Sequence, residues 1–573
     1  MVGIGGWGAG ARALAAGAAL LLLAAWPAQA RDLGEALRDR LESGVGIPVS
    51  DREGQDLLIL AKFYESRRVQ PVWVTAGGPT ARARALFAQL ARAEEDGLDP
   101  ADYGLARIGA LLERGDSPDA LAELEFLLTH AVLDYGRDLG SGRLEPSRVD
   151  PELFVERREV DPARLLAEAA EAGDVAAYLS RFAPTRPEYA RLRLALKQYR
   201  ELLAAGGWEP VPAGETLKPG QSDPRVPALR RRLAATGDLP GTDAPPPDPL
   251  LFDPVLERGV RAFQRRHGLE PDGEIGKRTL AEMNVPARLR VAQIILNMER
   301  WRWMPDDLGP RYLAVNLADY TLAVMQGMEV VETMRVVVGA PYTRTPVFSG
   351  TMTYLELNPY WHVPPRIAKE EILPKQKKDP LYLAKNRYTL LSDWSESAVP
   401  VDPATVDWKK VTPANFRWRV RQDPGDHNAL GRIKFMFPNR FDVYLHDTPS
   451  KSHFARAMRS FSHGCIRVED PPKLALALLS LAETPDWTPE SLAAALASGE
   501  RRVVRLKKPL PVHITYITAF VDGEGRVQFR GDVYGRDRRL GTALDAARAV
   551  WPDPEEPAAG RRAGAAEPDP ATE

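Results

Sequence analysis

The spacing of apolar residues along this chain changes period near Arg311, and this change limits the fold more than any other feature. Before it, apolar residues recur at helical spacing, as in Leu121, Leu124 and Leu128. After it, β-branched and aromatic runs predict strands over 312–316, 321–325 and 330–338. A chain of 573 residues is long enough for several domains. The fold class predicted is therefore α+β and multidomain.

Charge and cysteine content exclude several classes of protein. The formal net charge is -2, so no basic excess indicates a nucleic-acid partner. Cys465 is the single cysteine, which excludes an intramolecular disulfide.

The N-terminus resembles a secretory signal peptide. An apolar run over 13–26 is followed by Ala28-Gln29-Ala30, which is typical of a cleavage site. We expect a signal peptide over 1–30 and a mature protein exported to the periplasm, with a retained membrane anchor as the alternative. In that compartment an unpaired thiol is a liability unless it has a use.

Turn and linker signals predict the division into domains. Residues 31–210 are predicted to form a helical scaffold, whose one histidine, His130, is interpreted as structural because no second metal ligand is evident nearby. A compact three-helix module is predicted over 217–286 and a β-rich, sandwich-like domain over 311–508. Within the latter, 366–431 lacks clear elements and is interpreted as an insertion, a lid over a site. A closing β-hairpin is expected within 509–550 and a disordered tail over 552–573.

The module at 217–286 has a specific resemblance. Val260 to Gln264, Asp272-Gly273, Ile275-Gly276 and Thr279-Leu280 are similar to the small peptidoglycan-binding module of many cell-wall enzymes. The alternative is a plain three-helix spacer, because the matching residues are mostly core and turn positions.

The residues with catalytic potential cluster near the only cysteine. His427, His446, His453 and His463 all precede Cys465 closely, and a thiol needs a base to become an effective nucleophile. His446, at the end of a predicted strand over 441–446, is the candidate base. The N–H groups of Gly464 and Cys465 are candidate oxyanion donors, and Arg467 shares a face with Cys465 and is suited to a substrate carboxylate.

Two other interpretations of Cys465 stay open at this point. A lone cysteine is frequently a core residue. A zinc site is the second alternative, but the chain has neither a C-x-x-C pair nor an H-E-x-x-H motif, so no metal is predicted.

A larger pattern joins these residues. His446 followed by Ser462-His463-Gly464-Cys465-Ile466-Arg467 closely resembles the signature of L,D-transpeptidases with a YkuD-type catalytic domain. The resemblance extends to 345–350, 358–364 and 431–435. The order of scaffold, peptidoglycan-binding module and catalytic domain with a capping insertion is similar to the large periplasmic branch of that family.

The resemblance implies a function and a set of roles. Cys465 would form a thioester with the third residue of a donor tetrapeptide stem, releasing D-alanine, and the amine of a second stem would then make a 3→3 cross-link. His446 would be the general base, oriented by a backbone carbonyl, with His463 secondary. Tyr444, Trp361 and Arg467 are the predicted substrate-binding residues.

The alternatives to this function are an L,D-carboxypeptidase and a catalytically silent wall-binding protein. No cofactor is implied, since acyl transfer needs only a nucleophile, a base and oxyanion donors. The partners implied are peptidoglycan stem peptides and other cell-wall synthesis enzymes.

Overall fold

The computed structural model describes residues 32–43, 53–239 and 248–548. The predicted signal peptide, its cleavage site at Arg31 and the predicted tail lie outside these residues. Within the described ranges, no helix combines the length and apolar character needed to cross a membrane.

The N-terminal region is helical, as predicted. Its elements are α1 (Leu33–Ser43), α2 (Glu53–Ser66), β1 (Val74–Thr75), β2 (Gly78–Pro79), α3 (Ala81–Ala91), α4 (Leu105–Arg114), α5 (Pro118–Ser141), α6 (Pro146–Val149), β3 (Leu153–Phe154), α7 (Pro162–Glu171), α8 (Val175–Ser180) and α9 (Pro187–Ala204). Helix α5 begins where the Ser117 side chain accepts the N–H of Ala120, and it is buried along most of its length. It is the central helix of the N-terminal core.

Three helices form the next module, in agreement with the predicted pattern: α10 (Val226–Ala234), α11 (Pro254–Arg266) and α12 (Lys277–Met283). The module also contacts the C-terminal part of the chain. Arg266 is buried, pairs with Asp238 at 2.5 Å and donates to the Val527 carbonyl at 3.0 Å. The ring of His267 stacks on Phe529 with centroids 5.5 Å apart.

Helix α13 (Ala287–Trp303) joins the helical N-terminal region to the β-rich region. Its buried Glu299 carboxylate accepts the backbone N–H groups of Arg143 at 2.7 Å and Leu144 at 3.2 Å, and it pairs with Arg302 at 2.6 Å. Arg302 in turn donates to the carbonyl of Asp96. The backbone at Asp96 and at Arg143-Leu144 therefore contacts α13.

The β-rich region is built around one large sheet. It contains β4 (Arg311–Asn316), β5 (Thr321–Gln326), β6 (Glu329–Gly339) and β7 (Val347–Leu357) before the insertion. After the insertion come β12 (Ile433–Met436), β13 (Leu445–His446), β14 (Ser460–Ser462), β15 (Ile466–Val468), α17 (Pro471–Leu481), α18 (Pro489–Ala497) and β16 (Arg502–Thr515).

The strand order is β12-β13-β15-β6-β5-β4-β16-β7-β3, and β12 also pairs with β7. The sheet thus closes on itself, where the sequence suggested a sandwich-like arrangement. The long strands β7 and β16 make closure possible, since their pairing is interrupted between Arg505 and Leu510. Strand β3 of the scaffold region adds to this sheet beside β7, which helical periodicity did not predict.

The insertion is an ordered subdomain, so the expectation that it lacks clear elements is wrong. It contains β8 (Trp361–His362), α14 (Pro365–Ile367), α15 (Leu373–Lys378), α16 (Tyr382–Lys385), β9 (Tyr388–Leu391), β10 (Pro400–Val401) and β11 (Arg419–Gln422), with a π-helical turn over 368–372. These strands form a sheet in the order β10-β9-β11-β8, over a separate small core. We call residues 361–422 the cap. Short elements held by aromatic packing have no clear period, which explains why the sequence did not reveal them.

The C-terminal segment has β17 (Ala519–Val521), β18 (Val527–Phe529) and α19 (Arg536–Ala546). A hairpin is present, but it is shorter than predicted, because residues 512–515 belong to β16 of the main sheet. The predicted domain boundary at 508 therefore falls inside a strand.

Candidate active site

Two short parallel strands bring the candidate nucleophile and base together. β13 pairs with β15 so that His446 lies opposite Arg467, and the N–H of Ile466 donates to the Tyr444 carbonyl at 3.1 Å. Cys465 immediately precedes β15. The strand predicted over 441–446 is paired only at Leu445 and His446, with the residues before it irregular.

Cys465 is half-buried, and its environment acts on the thiol in two directions. Burial raises the pKa of the thiol, whereas hydrogen bonds from Tyr444 and the positive charges of Lys434 and Arg467 lower it. The Sγ–H donates to the carbonyl of Asp442 at 3.7 Å. The balance favours a protonated thiol at rest, with the groups that favour a thiolate already in place.

His446 is only 5% exposed, and one ring nitrogen has a fixed role. Nδ1 lies 2.5 Å from the backbone carbonyl of Asp447. A carbonyl only accepts, so Nδ1 carries the proton and Nε2 is left as the acceptor. Burial, then the charges of Arg467 and Lys434, lower the pKa of His446 to about 3. The imidazole is therefore neutral near pH 7, as a general base requires.

Tyr444 contacts both Cys465 and His446. Its side chain hydrogen-bonds with Cys465, and its ring makes an edge contact with the His446 ring at a centroid distance of 5.7 Å.

Lys434 also lies at the site, although the sequence pattern predicted no role for it. On β12 it lies opposite His446 of β13 and opposite Glu356 of β7, and its Nζ sits 3.9 Å from the centroid of the Tyr444 ring. Burial lowers the pKa of Lys434. The available signal was a lone cation between the apolar residues Ile433 and Phe435 of a strand.

Arg467 has the features expected of a carboxylate-binding side chain. Its Nε is buried and has no acceptor among the described residues. Burial lowers its pKa, while Cys465 and Glu371 raise it. A cation beside the nucleophile with unused donor capacity is suited to an incoming carboxylate.

His463 and Trp361 both contact the cap. His463 is exposed on the loop before Cys465, where its Nε2 lies 2.7 Å from Glu371 Oε1. Trp361 lies on β8, opposite Gln422, and its ring packs near Tyr388 at a centroid distance of 6.3 Å. The structure thus makes Trp361 part of the cap sheet.

Gly464 has a conformation that favours glycine, with φ +119°. Its N–H donates to the Ser462 hydroxyl at 3.1 Å. The expectation that this N–H serves as an oxyanion donor is not met in this conformation, because the donor already has a partner. The N–H of Cys465 has no acceptor among the described residues.

A second cluster lies in the scaffold, away from the cysteine. His130 is buried, with Nδ1 3.4 Å from Asp134 and Nε2 3.9 Å from Asp56, two neighbours that the sequence pattern did not indicate. These three side chains are close enough to hold an ion. Arg137 pairs with Asp56, however, so part of the negative charge is already balanced.

The closed sheet and the Cys465–His446 region together define a domain with a candidate acyl-transfer site. Comparison with known families agrees with this. Residues 310–489 match the L,D-transpeptidase catalytic domain (YkuD), residues 222–283 a "Putative peptidoglycan binding domain", and residues 59–196 a scaffold domain. The chain therefore contains a YkuD-type L,D-transpeptidase catalytic domain, a peptidoglycan-binding domain and a scaffold domain.

Individual proteins are also similar. A Haemophilus influenzae protein described as "Putative L,D-transpeptidase" is 35% identical over 265 residues, which cover 46% of this chain and 51% of that protein. The chain thus matches about half the length of this curated relative.

Among solved structures, an L,D-transpeptidase from Mycobacterium smegmatis aligns at 14% identity and a TM-score of 0.17, covering 36% of this chain and 58% of the other. An L,D-transpeptidase fragment from Xylanimonas cellulosilytica aligns at 15% identity and a TM-score of 0.16, covering 54% and 100%.

Proposed function

We propose that this protein is a cell-wall L,D-transpeptidase that makes 3→3 peptidoglycan cross-links through a thioester on Cys465. One observation carries the proposal: the neutral imidazole of His446, with Nδ1 held by the Asp447 carbonyl, lies on the strand paired with the segment that follows Cys465. The matched domain families support the same chemistry.

In the first half-reaction, Nε2 of His446 takes the thiol proton, and Sγ attacks the carbonyl of the third stem residue. The amide bond to the terminal D-alanine breaks, and the imidazolium gives its proton to the leaving amine. A thioester to Cys465 remains.

In the second half-reaction, the side-chain amine of another stem attacks the thioester carbonyl. His446 takes a proton from this amine, the C–S bond breaks, and the thiol is restored. Water competes with the amine, so the cap, which contacts the loop before Cys465 through Glu371, has a natural role in shielding the acyl-enzyme.

The surrounding residues receive roles within this scheme. Tyr444 and Lys434 stabilise the developing thiolate, and Arg467 binds a stem carboxylate. His463 acts through the cap, and Trp361 belongs to the base of the cap. Residues 217–286 hold the enzyme on peptidoglycan, and cell-wall synthesis enzymes are its expected partners.

The test incubates the purified protein with disaccharide-tetrapeptide and reads product masses. A dimer formed with loss of D-alanine is expected, and Cys465→Ala should abolish both this product and the acyl-enzyme adduct. Tripeptide alone would indicate an L,D-carboxypeptidase, and no turnover with intact wall binding would indicate a silent binding protein. An acyl-enzyme in Cys465→Ala would disprove the mechanism.

Location is tested separately. Proteins that act on peptidoglycan work outside the cytoplasm, and the signal-peptide pattern supports export to the periplasm. N-terminal sequencing of the exported protein should give a start near Arg31. A Met1 start in the membrane fraction would instead support a retained anchor.

A further inference from the structure

Thr345 lies directly behind the loop that carries Cys465. Its side chain is fully buried, and its Oγ1 makes two hydrogen bonds. The hydroxyl donates to the Gly464 carbonyl at 2.7 Å and accepts the N–H of Gly339 at 3.0 Å. The Gly464 carbonyl is therefore held toward the interior of the domain.

This bond also sets the direction of the next N–H group. In a trans peptide the carbonyl of one residue and the N–H of the next point in opposite directions. With the Gly464 carbonyl pointing to Thr345, the Cys465 N–H points away from the interior. In the part of the chain that the structure describes, this N–H has no acceptor, whereas the Gly464 N–H is bonded to Ser462.

We propose that Thr345 is a positioning residue, which orients the Cys465 N–H as the oxyanion donor of the thioester-forming step. The inference rests on the proposed cysteine mechanism and adds a residue to which neither the sequence signature nor the proposed roles gave a function. An oriented donor costs no reorganisation when charge develops on the substrate oxygen.

The position of Thr345 is itself supported from outside residues 310–489. The Tyr534 hydroxyl donates to the Gly339 carbonyl at 2.7 Å, and Arg536 donates to the Thr345 carbonyl at 3.4 Å. Arg536 is buried and pairs with Glu152 of the scaffold region at 3.1 Å. The C-terminal segment and the scaffold thus stabilise the turn that holds the active-site loop.

Two reactions of the same thiol separate positioning from general damage. Acylation by a carbapenem passes through a tetrahedral oxyanion, whereas alkylation by iodoacetamide does not. A misdirected Cys465 N–H should slow only the first. A change in the pKa of the thiol or in its accessibility should slow both acylation and alkylation.

The test compares Thr345→Val with Thr345→Ser in the full chain. We expect Thr345→Val to reduce the acylation rate by about ten- to a hundredfold, below the roughly 10²–10³ for complete loss of an oxyanion donor, since the N–H is misdirected rather than removed. Thr345→Ser keeps the donor and should restore most of the rate. The rate of alkylation and its pH profile should be unchanged in both.

Thr515→Val is a matched control, because it removes another hydroxyl-to-carbonyl bond of the same sheet, to Val315 at 3.1 Å. It should leave acylation unchanged. If Thr345→Val does not fold, Tyr534→Phe is the second variant, because it removes the hydrogen bond to the Gly339 carbonyl. It should lower the acylation rate by a smaller factor and leave the alkylation rate unchanged.

Equal losses in acylation and alkylation, or wild-type acylation in Thr345→Val, would overturn the role of Thr345. If Tyr534→Phe is the variant tested, an unchanged acylation rate would also overturn the role of Thr345. Failure of the wild-type protein to form any adduct on Cys465 would instead disprove the proposed function, so the two failures are distinguishable.

Discussion

The Nε2 atom of His463 lies 2.7 Å from Oε1 of Glu371, so a side-chain contact joins the loop before Cys465 to the cap. Both side chains are nearly half exposed, at 45% and 41%. Exposed pairs contribute at most about 1 kcal/mol. The contact is therefore weak enough to open during turnover, and its loss should shift the cap rather than unfold it.

Glu371→Gln should increase the share of hydrolysis relative to cross-linking by roughly two- to fivefold, because 1 kcal/mol corresponds to a factor of about five. The measurement is the ratio of tripeptide to dimer by mass spectrometry. Glu370→Gln is the matched control, since Glu370 pairs with Arg366 within the cap at 3.0 Å. An identical product ratio in both variants would show that this pair does not hold the cap.

The two histidines near the cysteine should differ in their effect on acylation. His446→Ala removes the base and should lower the acylation rate by about a hundred- to ten-thousandfold, with partial rescue at high pH. His463→Ala loses only the exposed pair with Glu371, so its loss should stay within about fivefold. Both are measured by stopped-flow acylation after circular dichroism shows the fold intact. The reverse order would assign the base to His463.

Removing the charge of Lys434 should lower the fraction of Cys465 that is present as thiolate. Lys434→Met keeps the packing of the stem on Tyr444 but removes a cation that lowers the pKa of Cys465, so this pKa should rise further. We expect iodoacetamide labelling at pH 7 to slow by roughly three- to tenfold. Lys473→Met, which removes an exposed lysine paired with Glu332 at 2.8 Å, should label like the wild-type protein. Equal labelling rates in the two variants would show that Lys434 does not affect the Cys465 thiol.

The depressed pKa of His446 also predicts a dependence of stability on pH. In the folded protein this pKa is lowered from 6.5 to about 3, so the unfolded state takes up a proton first as pH falls. The contribution of the neutral His446 to the free energy of unfolding is therefore fully present above about pH 6.5. It is lost as pH falls toward 3, at about 1.4 kcal/mol per pH unit.

His446→Gln removes this titration. Urea denaturation at several pH values measures the unfolding free energy of both proteins. The value for the wild type minus that for the variant should decrease as pH falls from 6.5 toward 3. A difference independent of pH would contradict the buried, neutral imidazole.

The contact between the peptidoglycan-binding module and the C-terminal hairpin depends on Arg266. Arg266→Ala leaves Asp238 buried without its partner, and breaking a buried pair in this way typically costs about 3–5 kcal/mol. We expect a lower urea midpoint for the module. Arg265→Ala, the neighbouring residue on the exposed side of α11, should be nearly neutral. The same contact means that deleting 217–286 would uncover Phe529, so point variants are the better test of wall binding.

Much of the local structure followed from the sequence. The apolar periods predicted β4, β5 and β6 almost to the residue. Cys465 and His446 were predicted as nucleophile and base from residue type and order, because a thiol nucleophile requires a base and few residues can supply one.

The tertiary structure decided what local patterns do not encode. Alternation reports which face of a strand is buried but not which strand pairs with it, so neither the recruitment of β3 nor the closure of β12 onto β7 was evident. The carbonyl that orients His446 belongs to the backbone of Asp447, and every residue has such a carbonyl. The Gly464 N–H was predicted to bind an oxyanion, but in the fold it donates to the Ser462 hydroxyl. The sequence thus determined which groups can react, and long-range packing determined which of their hydrogen bonds are already used.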